Sequence, residues 1–296
     1  MNREVVEKAE NIIKERKQKS EMPYNLLLEK FSKDKKFSDL RKKYQQEIIE
    51  NAKKEVYGEK TDKTLQEKLK KEIDDYFKKN GAKNTISYSC KKCQDNGYNN
   101  GEMCECLKKE ISNILFEESN FGKLVNFSDA EKGASGNLKS LYELMKKWCH
   151  SDFKKNIIFL SGQVGTGKTY LTRAMANELI EQGKIVKLVT AFQMSRDFKE
   201  YRSTYNETIL DKYLSCEFLF IDDLGTEVIY KNSTIEFLYQ VLNERQMRKL
   251  CTIITSNLDL AEIRDRYDER IFSRIANRET SITVNLKNED LRLKKN

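Results

Sequence analysis

Gly162-Gln163-Val164-Gly165-Thr166-Gly167-Lys168-Thr169 is the stretch on which the fold turns. It fits G-x-x-x-x-G-K-[ST], with a short apolar run at residues 157–161 before it and a helical row of Leu171, Met175 and Leu179 after it. A phosphate-binding loop needs that setting, because successive backbone N–H groups must turn inward at a helix N-terminus to meet an anion. In such a loop Lys168 reaches the β and γ phosphates of ATP and the Thr169 hydroxyl binds Mg²⁺. A chance glycine-rich turn has no reason to follow a strand and open a helix.

Outward from the loop, β-rich runs recur at residues 157–161, 185–190, 217–222, 251–256 and 281–285, with helical stretches between them. The alternation predicts an α/β fold built on a parallel five-stranded sheet with helices on both faces. Phe218, Leu219, Phe220 and Ile221 run into Asp222 and Asp223. Asp222 is placed to hold the hydrated Mg²⁺ and Asp223 to orient or deprotonate the attacking water, with Glu227 a second candidate for that task. A helix N-cap is the alternative role for the second carboxylate. Ser256 and Asn257 end the following strand, where the amide can meet the γ-phosphate or the water.

The chain has 296 residues, enough for two domains, and a net charge of +8 from 55 basic and 47 acidic side chains. That charge permits nucleic-acid contact without demanding it. It is unevenly placed, since 23 of the basic and 17 of the acidic residues fall before residue 86. This first part carries apolar rows at helical spacing: Phe37, Leu40, Tyr44, Ile48, Ala52, Val56, then Leu65, Leu69, Ile73, Phe77. It reads as an extended helical region, either a solvated hairpin or an arm that docks a partner. The lone histidine, His150, leaves no basis for a Ser-His-Asp triad or a His-rich metal site. The longest apolar runs near these motifs fall far short of a bilayer span, and the N-terminus lacks the apolar core of a secretory signal. The expected location is cytoplasmic, with no membrane contact.

Four of the seven cysteines form Cys90-x2-Cys93-x10-Cys104-x-Cys106, with Gly97 and Gly101 in the loop between the pairs. Two thiolates from a CxxC turn and two from a returning loop can complete the tetrahedral sulfur shell of Zn²⁺. Such a closed shell would stabilise a small domain and would not catalyse. A redox-active CxxC and a chance cluster of free thiols are the alternatives. Cys149, Cys216 and Cys251 read as core or surface thiols. The expected division is residues 1–112 as a helical, zinc-binding partner domain, 113–136 as a linker, and 137–296 as the ATPase domain.

The ordered set of phosphate loop, apolar strand ending in Asp222-Asp223, strand ending in Thr255-Ser256-Asn257, and Asp268-Glu269-Arg270-Ile271-Phe272-Ser273-Arg274-Ile275 resembles the DnaC/DnaI and IstB group of AAA+ ATPases. The resemblance covers roughly residues 113–296. It implies an AAA+ P-loop core in which Asn257 is sensor 1 and Arg274 the arginine finger, with Arg270 the alternative. A finger acts on a neighbouring subunit's nucleotide, so the resemblance implies an ATP-dependent homo-oligomer. Few residues follow the last strand, so the helical lid of most AAA+ proteins is expected to be missing and hydrolysis to be slow. The cysteine segment is similar to that of DnaC-like proteins and is uncommon in IstB transposition helpers. The implied function is therefore loading of the replicative hexameric helicase onto single-stranded DNA. A transposition helper or a nucleotide-gated binding module with negligible turnover stands as the alternative. Arg196, Lys199, Arg202 and Tyr205, in the long segment between the second and third strands, look like the extra helix of initiators and loaders. Cations beside rings suit single-stranded DNA, although a solvated helix face has the same composition.

Overall fold

The computed structural model describes residues 3–119, 121–131, 136–230 and 233–286. Two compact units divide them, Ile12–Asn96 and a second made of Met1–Asn11 with Gly97–Asn296. This division falls inside the cysteine loop, between residues 96 and 97.

The smaller unit takes most of α1 (Arg3–Ser32), then α2 (Lys35–Val56) and α3 (Thr64–Lys79). Asp34 caps α2 by accepting from the Lys36 N–H at 2.8 Å. Phe31, Phe37, Ile73 and Phe77 form a small core with Tyr24, Leu40, Tyr44 and Tyr76 against it. The rings meet edge-on, Phe31 and Phe77 at 5.0 Å between centroids, which is the geometry their quadrupoles favour. The apolar row of α2 is only half used: Phe37 is fully buried, whereas Val56 is 83% exposed. Leu65 at the start of α3 is likewise exposed while Leu69, Ile73 and Phe77 are buried.

A two-residue hairpin, β1 (Tyr98–Asn99) and β2 (Glu102–Met103), leads into α4 (Glu105–Glu118), then α5 (Phe127–Glu131) and α6 (Asn137–Cys149). The segment expected to be a linker from residue 113 thus begins inside a helix. Leu107, Ile111, Ser112 and Phe116 recur at helical spacing and are all buried. Ser112 fixes the helix to the sheet by donating to the Lys184 carbonyl at 2.8 Å and accepting from the Val186 N–H at 3.0 Å.

The alternation then proceeds through β3 (Ile157–Gly162), α7 (Lys168–Glu181), β4 (Val186–Thr190), α8 (Ala191–Thr204), α9 (Glu207–Leu214) and β5 (Phe218–Leu224). It continues with α10 (Thr234–Met247), β6 (Cys251–Ser256), α11 (Leu260–Arg266), α12 (Glu269–Ile275) and β7 (Ser281–Leu286). The five strands lie in the order β4-β5-β6-β3-β7, and every pair is parallel. Ile158, Leu160, Val186, Leu188, Phe218, Phe220 and Ile253 face a core with Trp148, Leu171, Met175 and Leu179. The alternate residues Ile157, Phe159, Leu219, Ile221 and Ile254 are also buried, as a sheet covered on both faces requires. Each such side chain contributes about 1.5–3 kcal/mol by leaving water. All the strands run the same way, so their C-terminal ends gather the phosphate loop, Asp222 and Asn257 at one edge of the sheet. The residues after Leu286, where the absence of a lid was expected, lie outside those described.

Candidate nucleotide and metal sites

The loop Gly162–Thr169 joins β3 to α7 as its pattern requires. At Gly162, φ is +151° and a Cβ would stand 2.5 Å from the Leu286 carbonyl oxygen, so only glycine fits. Gly167 caps α7 in the left-handed region, at φ +91°. Lys168 is 5% exposed. Its Nζ donates to the carbonyls of Gly162 at 2.7 Å and Gln163 at 2.9 Å, and to Asn257 Oδ1 at 2.8 Å. The ammonium is therefore stretched across the mouth of the loop, where a phosphate oxygen would replace these acceptors. Val164, Gly165 and Thr166 complete the turn, and the buried Thr166 hydroxyl closes it by donating to the Gln163 carbonyl at 2.9 Å.

Thr169 Oγ1 lies 3.3 and 3.2 Å from the two carboxylate oxygens of Asp222. Burial pushes the Asp222 carboxyl above its ordinary range. A buried carboxylate facing a hydroxyl at the phosphate loop suits a hard divalent cation, whose charge would favour the ionised form. Thr169 and Asp222 are thus the residues that would hold Mg²⁺. Sequence reasoning gave Thr255 no task, yet its hydroxyl donates to Asp222 Oδ1 at 2.5 Å and accepts from the Asp223 N–H at 2.9 Å.

At Asp223 the β5–β6 ladder shifts register between Ile221 and Leu224, and the residue takes φ +55°. A bulge of this kind re-aims a side chain, and Asp223 stays partly exposed while Asp222 is buried. Glu227 is placed otherwise. Its Oε2 accepts from the Gly225 N–H at 2.9 Å, its Oε1 accepts from the Tyr267 hydroxyl, and the residue is 3% exposed. With both oxygens engaged it braces the turn after β5.

The two arginines share one face of α10. The guanidinium of Arg274 lies 4.3 Å from the Tyr239 ring centroid, and that of Arg270 4.8 Å. Arg274 donates to Tyr239 Oη at 3.1 Å and to Asn243 Oδ1 at 2.5 Å. Arg270 is more exposed and pairs with Glu236 at 3.1 Å and Asp268 at 2.7 Å. Glu236, Tyr239 and Asn243 follow i, i+3, i+7 spacing, so one helix face holds both cations. Arg196, Lys199 and Arg202 are exposed on α8, and Tyr205, 77% exposed, ends that helix at φ +52°. Lys199 sits over the Tyr230 ring at 5.0 Å.

The sulfurs of Cys90, Cys93, Cys104 and Cys106 all lie within 4.8 Å of one another. A tetrahedral Zn²⁺ site with bonds of about 2.3 Å places its sulfurs roughly 3.8 Å apart, so the donor set fits that metal and would hold it without an open position. Asp95, absent from the sequence reading, shapes the first pair. It is 1% exposed and accepts from the N–H groups of Ser89 and Cys90, both at 2.9 Å. The glycine hairpin returns the second pair, the Cys104 N–H donating to the Gly97 carbonyl at 2.9 Å. Elsewhere Cys149, Cys216 and Cys251 are buried. Burial pushes the Cys149 thiol far up and the Cys251 thiol to about 12, which keeps both protonated.

The family of IstB-like ATP binding proteins matches residues 125–296, more than half of the chain. The chain belongs to that family. The replicative helicase loader DnaC of Buchnera aphidicola subsp. Baizongia pistaciae is 30% identical over 139 residues, 44% of this chain and 54% of that protein. The phage-like element PBSX protein XkdC of Bacillus subtilis is 28% identical over 211 residues, 64% and 78% of the two chains. A solved structure of the replication initiator DnaA bound to AMPPCP and single-stranded DNA has TM-score 0.51 and 22% identity, covering 58% of this chain and 52% of that one. This likeness shows the fold, a parallel sheet covered by helices. The chain spans 27% of a curated DnaA relative and 54% of the DnaC one. Among the described residues, no helix is long and apolar enough to cross a membrane.

Proposed function

We propose that this protein is an ATP-switched loader that places the replicative hexameric helicase on single-stranded DNA. The observation that carries the reading is the joining, in one chain, of an IstB-like ATP-binding unit similar to a DnaC loader with a separate helical unit bordered by a four-cysteine site. In this reading Lys168 and the loop amides bind the ATP phosphates, and Thr169 and Asp222 hold Mg²⁺. Asp223 orients the attacking water, and Asn257, released from Lys168, senses the γ-phosphate. Arg274 completes the site of a neighbouring subunit, so hydrolysis depends on assembly and proceeds slowly. The residues Arg196, Lys199, Arg202 and Tyr205 follow the DNA strand, and the helical unit grips the helicase.

The test is light scattering on a size-exclusion column, with the full chain, the host's replicative helicase, ATP and Mg²⁺. A stable complex of defined stoichiometry is expected. Failure to bind the helicase, together with ATP-dependent coating of DNA, would overturn the loader reading. It would favour a transposition helper, for which the family match and the similarity to a phage-like element protein already speak.

A further inference from the structure

Two buried residues 40 positions apart join the turn after β5 to the helix that carries Arg274. Glu227 is 3% exposed and Tyr267 5%. The Tyr267 hydroxyl donates to Glu227 Oε1, and the guanidinium of Arg266 donates to the Glu227 carbonyl oxygen at 2.6 Å. Burial raises the Tyr267 pKa far above its ordinary value and the facing Glu227 adds to the rise, so the phenol stays a donor. Tyr267 ends α11, and the next residue, Asp268, caps α12 by accepting from the Ile271 N–H at 2.9 Å. A single residue thus separates the phenol from the helix that carries Arg270 and Arg274.

The turn at the other end of this contact is firmly held. Glu227 Oε2 accepts from the Gly225 N–H at 2.9 Å, and Thr226 Oγ1 donates to the Asp223 carbonyl at 2.8 Å. Gly225 lies at φ +108°, and a Cβ there would stand 2.5 Å from Leu258 Cδ1, so the turn is also packed against the segment after β6. A buried carboxyl and phenol are a costly way to fill space, since apolar side chains of the same shape would pack there nearly as well. What a hydrogen bond adds is one distance and one direction.

We infer that Tyr267 is a positioning residue for Arg274: its bond to Glu227 holds α12 in register with the turn that carries Asp223, so the finger a subunit offers its neighbour is set by its own hydrolytic turn. The inference rests on the reading of Arg274 as a finger acting on a neighbouring subunit. Loss of the Tyr267 hydroxyl leaves the Gly225 N–H its acceptor, so the turn keeps its brace while α12 loses one. The defect then lies in the finger that is given and not in the site that receives it.

The test mixes full-length variants with ATP, Mg²⁺ and single-stranded DNA. A receiver carries Arg274→Ala and a giver carries Asp223→Asn, so hydrolysis regained on mixing requires the giver's finger at the receiver's nucleotide. Adding Tyr267→Phe to the giver should lower the regained kcat by about tenfold to a hundredfold, the scale of a displaced reacting group, with KM for ATP within about twofold. The same change in the receiver should cost less than about twofold. In the giver, Glu227→Gln should keep the rate, because its amide can donate to the phenol oxygen while its carbonyl accepts from Gly225. Equal losses in giver and receiver, no loss in either, or a Glu227→Gln giver as poor as the Tyr267→Phe one overturns the inference. So does a loss that light scattering traces to the giver's absence from the assembly. If the receiver and giver regain no hydrolysis before Tyr267 is changed, the finger reading itself fails, and the inference with it.

Discussion

Lys168 is buried at the loop mouth and held there by two carbonyls and Asn257. Lys168→Ala should therefore abolish nucleotide binding, read by titration with a fluorescent ATP analogue; retained affinity would reject the phosphate assignment. Asp223 differs, because it is partly exposed and has no role in holding phosphate. Asp223→Asn keeps a residue that tolerates the left-handed backbone, so folding and ATP affinity should survive while hydrolysis falls by about 10²–10⁴-fold, the usual worth of a general base. Thr255→Val is the sharper test. It removes the hydroxyl shared by the Asp223 N–H and Asp222 Oδ1, at a cost of about 1–3 kcal/mol for the amide left unpaired. Urea unfolding should show that loss, and the Mg²⁺ dependence of ATP binding should weaken; an unchanged denaturation midpoint would contradict it. The phosphate loop was legible because its residues are contiguous. Thr255 was not, because its contact with Asp222 spans 33 positions and exists only once two strands pair.

Strands were read well for the same reason that one helix was missed. Each strand is a short aliphatic run bounded by turns, and the five runs fall within about a residue or two of β3 to β7. The register shift that lengthens β5 past Asp222 has no period of its own to reveal it. Helix α4 was passed over because polar neighbours hid the row of Leu107, Ile111 and Phe116. At the same scale, α10 acts as a rack for the two arginines, and this separates their roles. Arg274→Ala should leave ATP binding intact and remove assembly-stimulated hydrolysis by about 10³-fold or more, the range known for arginine fingers. Arg270→Ala, whose partners are exposed carboxylates, should cost far less. If Tyr239 orients Arg274, then Tyr239→Leu should reduce only the stimulated rate, and Tyr239→Phe should largely restore it through the ring alone. Equal losses of basal and stimulated rates in Tyr239→Leu would mark the ring as simple packing.

At the scale of the molecule, the two units have unequal means of staying folded. The larger unit has a sheet buried on both faces. The helical unit rests on a small, mainly aromatic cluster around Phe31 and Phe77, in a segment whose size makes a single hydrophobic core marginal. A closed sulfur site at its border would make up that deficit, since metal binding free energy is folding free energy when no site exists in the unfolded chain. The full chain should therefore carry about one equivalent of zinc by elemental analysis, as a closed shell of four thiolates predicts. Replacing both Cys90 and Cys93 by Ser should remove the metal and destabilise the helical unit, seen as a lower-temperature melting step in circular dichroism. ATP affinity should stay within about twofold, because distant sites act nearly independently. A strong chelator should reproduce the same early melting in the unmodified protein. Serine substitution that changed neither metal content nor melting would instead leave the cysteines as free thiols, and the helical unit would have to stand on its aromatic cluster alone.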